Sequence, residues 1–155
     1  MRGGPSPEPV LPTHLFAYGS LVVSAVMEAV TGRSHRHAPA RLPGYQRLAL
    51  VDRIYPGIVA TPGAVTNGRV YFDLSDRSLR RVDFFEADEY VRESVEVVLE
   101  AGASLPAAVY VIAGEHRELT RPEPWDEQAF VEVDLSDYLE RTRAWMATFP
   151  GADSE

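Results

Sequence analysis

The chain has 155 residues, of which 45% are hydrophobic and 25% charged, and this composition is typical of one globular domain. Its formal net charge of −8 argues against nucleic acid as the main partner, because an acidic surface repels phosphate groups. The absence of cysteine excludes disulfides, thiolate metal ligands and a cysteine nucleophile. No apolar run is long enough to cross a bilayer or to form a signal peptide, so we expect a cytoplasmic protein with no membrane partner.

Proline and glycine dominate the start of the chain. Residues 1–13 contain four prolines and two glycines, and they predict a flexible N-terminal tail. Residues 14–149 then form the predicted domain, and residues 150–155 a C-terminal tail.

The first predicted elements are a strand and a helix. The apolar run at residues 15–18 predicts a buried strand that ends at Gly19. Ser24 is a suitable cap for a short helix through Thr31, and Gly32 follows its predicted end.

Short strands are predicted in the middle of the chain. The runs that predict them are residues 47–52, 57–61 and 69–74. Asn67-Gly68 predicts a tight turn between two of them. A helix follows over residues 76–87, with Ser75 as its cap.

The last part of the chain predicts two further strands and a helix. Period-two spacing places Val91, Val95, Val97 and Leu99 on one face of a half-buried strand. Residues 106–113 predict another strand, and a final helix begins after Asp134. About six strands and three helices without βαβ alternation indicate an α+β fold, a small and mainly antiparallel β-barrel with flanking helices.

The segment Tyr18-Gly19-Ser20-Leu21 is the first candidate site. A strand ends there at a glycine, and successive backbone N–H groups at such a turn can bind an anion or an oxyanion. The alternative is a plain turn with Tyr18 in the core. Taken alone, the segment favours this alternative. Ser20 lacks the surroundings of a catalytic nucleophile.

Glu86 is the second candidate. Helical spacing places it on the same face as Leu79 and Val82, which predicts an inward carboxylate. Desolvation would raise the pKa of such a carboxyl toward neutrality, where it can both accept and donate a proton. If the helix ends earlier, Glu86 belongs instead to a solvated acidic cluster, and the residues alone leave the two alternatives level.

Three further features carry weaker predictions. Arg92 can steer an anion or pair with a nearby carboxylate, and Tyr110 can line a pocket or pack in a strand. The His35-x-His37 pair lies among arginines and predicts a polar loop, and we expect no metal site there.

These pieces together resemble the γ-glutamylcyclotransferase-like family, in its AIG2-like branch. The matching segments are Phe16-Ala17-Tyr18-Gly19-Ser20-Leu21, Tyr55-Pro56-Gly57, Gly68-Arg69-Val70-Tyr71, Asp83-Phe84-Phe85-Glu86, Tyr90-Val91-Arg92 and Ala108-Val109-Tyr110-Val111. Their order and spacing agree over residues 14–113. One departure is Ala87, since relatives often have glycine after the glutamate that matches Glu86.

The resemblance implies an enzyme that releases 5-oxoproline from a γ-glutamyl amide by attack of the substrate's own α-amine. It implies that Glu86 is the acid/base, that residues 18–21 hold the glutamyl group, and that Tyr90, Arg92 and Tyr110 contribute to substrate binding. It implies no cofactor and no metal. The alternative is a non-catalytic small-molecule binding or regulatory domain on the same fold. The sequence leaves open the leaving group, the oligomeric state and the role of residues 114–132.

Overall fold

The computed structural model describes residues 13–86 and 88–150. The predicted N-terminal tail, apart from Thr13, and most of the predicted C-terminal tail lie outside these residues. Thr13 already belongs to the first strand, one residue before the predicted domain start.

Five strands form a closed barrel. The strands are β1 Thr13–Ala17, β2 His37–Leu48, β3 Gly57–Leu74, β4 Tyr90–Leu99 and β5 Ser104–Ile112. Their order around the barrel is β1-β3-β2-β4-β5, and all neighbours are antiparallel except β1 and β5. The parallel β1–β5 pair closes the barrel, so the predicted α+β barrel is confirmed.

Helices pack against one side of the barrel. They are α1 Ser24–Thr31, α2 Asp76–Phe85, the short α3 Glu127–Ala129 and α4 Leu135–Met146, with a π-helical turn at Phe130–Asp134 between the last two. Within the described residues, no helix has both the length and the apolar character needed to cross a membrane.

The alternation of β1 divides the core into two parts. Phe16 and Tyr18 belong to a cluster with apolar residues of all five strands, which fills the barrel. Leu15 and Ala17 face the other way and pack against residues of α1, α2 and α4. The end of β1 therefore lies where the barrel core meets the helix layer.

The predicted tight turn at Asn67-Gly68 is wrong. Both residues lie inside the long strand β3, opposite Arg41 and Ala40 of β2. Glycine is needed there for a different reason, because a Cβ on Gly68 would lie 2.2 Å from the backbone oxygen of Ala17 in β1.

Other element boundaries also differ from the sequence predictions. Val23, not Ser24, is the N-cap residue of α1, and the Ser24 hydroxyl accepts a hydrogen bond from Arg69. The strand predicted over residues 47–52 ends at Leu48, and the predicted polar loop at His37 is the start of β2.

Near the C-terminus, helical structure begins well before the predicted cap at Asp134. Asp126 caps it instead, since its Oδ1 accepts from the backbone N–H of Ala129 at 3.0 Å. On β4, Val97 is fully buried, whereas Val91, which was predicted on the same face, is 45% exposed.

Candidate active site

The loop after β1 presents backbone donors. Residues Ser20–Val22 form a single 3₁₀ turn, in which the N–H of Val22 donates to the Gly19 carbonyl at 3.0 Å. The N–H groups of Ser20 and Leu21 precede this first bond, so the turn itself offers them no acceptor. The turn is therefore compatible with a nest of donors at residues 18–21, which stays a prediction.

Distant parts of the chain hold this loop in place. The Tyr18 hydroxyl donates to the carbonyl of Tyr110 in β5 at 2.5 Å, and the Tyr71 hydroxyl of β3 donates to the Leu21 carbonyl at 2.6 Å. The hydroxyl groups of Ser20 and Tyr138 lie 3.0 Å apart and share a hydrogen bond. Because three elements fix it, the loop has little freedom to change shape.

Gly19 packs closely against Pro56. A Cβ at Gly19 would lie 2.8 Å from Cδ of Pro56, so any larger residue would push the two segments apart. Pro56 is itself held, because its carbonyl accepts a hydrogen bond from the Tyr90 hydroxyl. Glycine is thus required by this close approach.

Glu86 lies at the end of α2. The helix ends at Phe85, and Glu86 has extended backbone angles, with φ −70° and ψ 143°, while its N–H still donates to Val82 at 3.0 Å. The sequence offered an inward Glu86 on a continuing helix or a solvated Glu86 after the helix end. The structure combines them differently, because the helix ends and Glu86 nevertheless lines a pocket with the loop of residues 18–21.

That pocket is small and largely aromatic, with a volume of about 90 Å³. Its lining consists of Phe16, Ala17, Tyr18, Gly19, Ser20, Leu21, Tyr55, Pro56, Phe85, Glu86, Tyr90, Tyr110 and Tyr138. Among these residues, all of which the structure describes, Glu86 is the only carboxylate and no lysine or arginine is present. Any proton transfer by an acidic side chain in the pocket would therefore fall to Glu86.

The surroundings of Glu86 favour its neutral form. Burial, and then the negative charges of Glu89 and Asp83, raise the pKa of the Glu86 carboxyl from 4.5 to about 8. Burial also raises the pKa of the pocket tyrosines, so their hydroxyl groups keep their protons near neutral pH. The pocket thus combines one acid/base group of near-neutral pKa with several neutral hydroxyl groups.

Asp83 contacts Tyr110 of the pocket wall but does not itself line the pocket. It accepts a hydrogen bond from the hydroxyl of Tyr110, and its Oδ1 lies 3.2 Å from Nε of Arg92. Arg92 is not among the residues that line the pocket, and its ion pair with Asp83 is the alternative that the sequence left open. Tyr90 and Tyr110 do line the pocket, as predicted.

Glu89 is the second carboxylate near Glu86. Its Oε2 accepts from Nε of Arg53 at 3.0 Å and from the Tyr55 hydroxyl at 3.1 Å. Burial acts to raise the pKa of Glu89, but a backbone hydrogen bond and those from Arg53 and Tyr55 hold it below its ordinary value. Glu89 therefore stays ionised and contributes a fixed negative charge near Glu86.

Sequence reasoning missed several residues of the pocket wall, among them Tyr55, Phe85 and Tyr138. Tyr55 lies in a segment that contributed to the family resemblance, and Tyr138 lies in the predicted final helix. Neither pattern indicates a pocket, because both residues reach it only through the folding of distant segments.

The structure defines the class of protein as an α+β barrel with a pocket beside its helices. Comparison with known proteins identifies the family. The family model described as gamma-glutamyl cyclotransferase, AIG2-like, matches residues 15–127. The chain belongs to this family, which confirms the resemblance found in the sequence.

Plant proteins are among its relatives. AIG2-like protein C of Arabidopsis thaliana is 32% identical over 85% of this chain and 77% of its own length. AIG2-like protein D of the same plant is 29% identical over 83% of this chain and 86% of its own length.

Solved structures share the fold. The solution structure of an Arabidopsis thaliana protein, 30% identical, covers 90% of this chain and 84% of its own, with a TM-score of 0.67. A structure named gamma-glutamyl cyclotransferase covers 85% of this chain and 86% of its own, with a TM-score of 0.60. Its identity of 16% supports the fold alone.

Proposed function

We propose that this protein is a γ-glutamylcyclotransferase-type enzyme that releases 5-oxoproline from a γ-glutamyl amide. The observation that carries the proposal is the position of Glu86, a carboxyl of pKa about 8 in the same pocket as the backbone donors of residues 18–21. Membership of the gamma-glutamyl cyclotransferase family supports the reaction class. The leaving group remains open.

In the first step Glu86 takes a proton from the α-ammonium group of the substrate. The α-ammonium group of a γ-glutamyl amide stands beside a carboxylate and holds its proton more tightly than the N-terminus of a peptide does. The raised pKa of Glu86, about 8, reduces the free-energy cost of the transfer relative to an ordinary carboxylate. About a tenth of Glu86 is ionised at pH 7, which is enough to supply the base. The freed amine then attacks the γ-carbonyl carbon of its own chain.

Collapse of the tetrahedral intermediate breaks the original amide bond. Protonated Glu86 donates its proton to the departing nitrogen, and the ring nitrogen loses one further proton. Both protons that leave the α-ammonium group end on the released amine, so charge balances and no water is consumed. Proximity of the two reacting groups in one folded substrate supplies a large part of the rate.

The polar groups of the pocket have separate proposed roles. The N–H groups of residues 19–21 hold the glutamyl group or stabilise the oxyanion on the γ-carbonyl. The hydroxyl groups of Tyr90 and Tyr110 border the same space and stay protonated, but each already donates to a protein acceptor. Their contribution to binding is therefore shape and acceptor capacity, while the donors come from the loop.

The experiment that tests the proposal is incubation with a panel of γ-glutamyl amides in ¹⁸O-labelled water, followed by mass spectrometry of the products. Cyclisation yields 5-oxoproline without ¹⁸O. Release of labelled glutamate would instead show hydrolysis and contradict the proposal. The predicted absence of cofactor and metal is checked in the same assay, by comparing rates with and without a chelator.

The alternative of a non-catalytic binding domain predicts a different result. A panel member, or 5-oxoproline itself, would bind in the pocket, and no turnover would be detected with any substrate. The predicted cytoplasmic location and the oligomeric state need separate measurements, by fractionation and by sedimentation.

A further inference from the structure

An arginine outside the pocket donates a hydrogen bond to the backbone of the loop at residues 18–21. Nη1 of Arg47, in β2, donates to the carbonyl oxygen of Tyr18 at 2.8 Å. The same guanidinium faces the ring of Trp125 at 5.4 Å and lies 3.6 Å from the carboxylate of Glu127. Arg47 thus joins the loop to a segment that the sequence left without a role.

The geometry of the peptide bond gives this contact a consequence. In a trans peptide the carbonyl oxygen of one residue and the N–H of the next point in opposite directions. No cis peptide occurs within the described residues, so the hydrogen bond from Arg47 to the Tyr18 carbonyl also fixes the direction of the Gly19 N–H. The Gly19 N–H therefore points away from the arginine, and Gly19 is among the residues that line the pocket, whereas Arg47 is not.

We propose that Arg47 is a positioning residue, which aims the Gly19 N–H at the substrate by holding the Tyr18 carbonyl on the opposite side of the peptide plane. The inference rests on the proposed function, in which the loop donors contact the glutamyl group. Trp125 and Glu127 support it by fixing the guanidinium, which assigns a role to part of the segment over residues 114–132.

The burial of Arg47 agrees with this role. Its side chain is only 24% exposed, and burial lowers the pKa of its guanidinium, while Glu127 acts in the opposite direction. Burying a cation is unfavourable unless its donors are satisfied. A carbonyl oxygen, a carboxylate and an aromatic face around one guanidinium meet that requirement and leave the group little freedom to move.

Arg69 offers a matched control on the same loop. Its Nη1 donates to the Val22 carbonyl at 2.7 Å, so it too is an arginine that holds a loop carbonyl. The N–H of that peptide belongs to Val23 and already donates to Ser20 at 3.1 Å. Loss of Arg69 therefore removes a similar contact without redirecting a donor toward the pocket.

The first test compares kcat/KM of the two arginine variants with that of the wild type on a γ-glutamyl amide from the panel. Arg47→Met should lower kcat/KM by up to about 100-fold, since a small misplacement of a catalytic donor has effects of that size. Arg47→Lys should recover part of the loss because lysine can still donate to the carbonyl, and Arg69→Met should cause a much smaller loss. The pH midpoint near 8 should stay unchanged, because Glu86 is untouched.

The second test does not depend on activity. In ¹H–¹⁵N NMR spectra of the ligand-free protein, Arg47→Met should move the Gly19 amide signal strongly and leave those of Val22 and Val23 nearly in place. Glu127→Gln, a milder change, should move the same signal less. An unchanged Gly19 amide in Arg47→Met, or equal losses of activity in Arg47→Met and Arg69→Met, would overturn the inference. A wild type without turnover would contradict the proposed function, and the NMR result would still decide the role of Arg47.

Discussion

Glu86 differs from the two carboxylates nearest to it in what surrounds its charge. Arg53 pairs with Glu89 and Arg92 pairs with Asp83, whereas no ion pair to Glu86 is found among the described residues. Pairing helps to stabilise the ionised form of Glu89, and burial destabilises that of Glu86. Asp83, Glu86 and Glu89 are thereby divided into two ion-paired carboxylates and one that can exchange a proton.

Glu86→Gln should reduce turnover by at least about 100-fold, because general acid–base catalysis contributes roughly 100- to 10,000-fold. In the wild type, kcat should rise with pH through about 8, since only ionised Glu86 accepts the proton, and should fall again where the substrate ammonium has lost the proton that Glu86 passes to the leaving nitrogen. Stopped-time assays of 5-oxoproline between pH 5 and about 10 measure both effects. If Glu86→Gln turned over the substrate at the wild-type rate, Glu86 could not be the acid/base.

The raised pKa of Glu86 also affects stability. Between 4.5 and about 8 the native state holds this proton more tightly than the unfolded state, so the contribution of Glu86 to the free energy of unfolding falls as pH rises. Glu86→Gln should therefore gain stability relative to the wild type across this window and show a constant difference above it. Urea denaturation at several pH values tests the sign, and a difference independent of pH would contradict the raised pKa.

Asp83 should tune Glu86 without transferring a proton itself. Its negative charge helps to raise the pKa of Glu86, so Asp83→Asn should move the midpoint of the pH–rate profile below 8. Release of Arg92 from its ion pair acts in the same direction. Glu96→Gln, an exposed carboxylate of β4, is the control and should leave the midpoint unchanged. If Asp83→Asn were inactive while Glu86→Gln stayed active, the roles assigned to the two carboxylates would have to be exchanged.

At the scale of elements, helix α2 shows both the strength and the limit of sequence reasoning. The Ser75 cap is confirmed, since its hydroxyl accepts from the Ser78 N–H at 3.1 Å. The predicted end at residue 87 is too late, because α2 ends at Phe85. Glu86 follows the last helical residue, but its N–H still makes the helical hydrogen bond to the Val82 carbonyl, so helical spacing continues to place it, and it lines the pocket.

The turn predicted at Asn67-Gly68, inside strand β3, was wrong because long-range pairing decides the structure there. Asn-Gly is a strong local turn signal, but pairing with β2 over Val65–Tyr71 and pairing with β1 override it. The pocket residues Tyr55 and Tyr138 were missed because the contacts that bring them together join segments far apart in sequence. Local patterns predicted the barrel and the two ends of the site, and only the tertiary contacts define the wall between them.

Gly68→Ala should destabilise the protein by about 1–3 kcal/mol, the usual range for overpacking. The added Cβ would meet a backbone oxygen of β1 at 2.2 Å and the Phe16 ring at 2.9 Å, and the backbone oxygen cannot turn aside as a side chain can. Urea denaturation measures the effect. Gly114→Ala is the matched control, since nothing lies within 4 Å of a Cβ there, and equal stability of the two variants would contradict the tight contact.

At the scale of the whole molecule, the C-terminal segment is tied to the barrel at several points. The Trp125 N–H donates to the Ile54 carbonyl at 2.8 Å, and Tyr138 reaches Ser20. The two tryptophans of the chain, Trp125 and Trp145, both belong to this segment. Their fluorescence therefore reports on the helices, while far-UV circular dichroism reports on the whole fold.

We expect urea unfolding followed by tryptophan fluorescence to coincide with unfolding followed by circular dichroism, as for one cooperative domain. Because the helices cover apolar residues of β1 and β3, their loss would expose one of the two apolar clusters of the core to water. A fluorescence transition at clearly lower urea would show that the C-terminal helices detach first, and would contradict the predicted single domain over residues 14–149.

The hydrogen bond from Tyr18 to Tyr110 joins residues 92 positions apart, and that between Ser20 and Tyr138 spans 118. During synthesis the loop leaves the ribosome long before either partner exists. Closing chain segments of this length is slow compared with forming a helix or a hairpin. The proposed substrate-binding loop is therefore among the last parts of the molecule to reach its final shape, and the proposed activity should appear only after the barrel has closed.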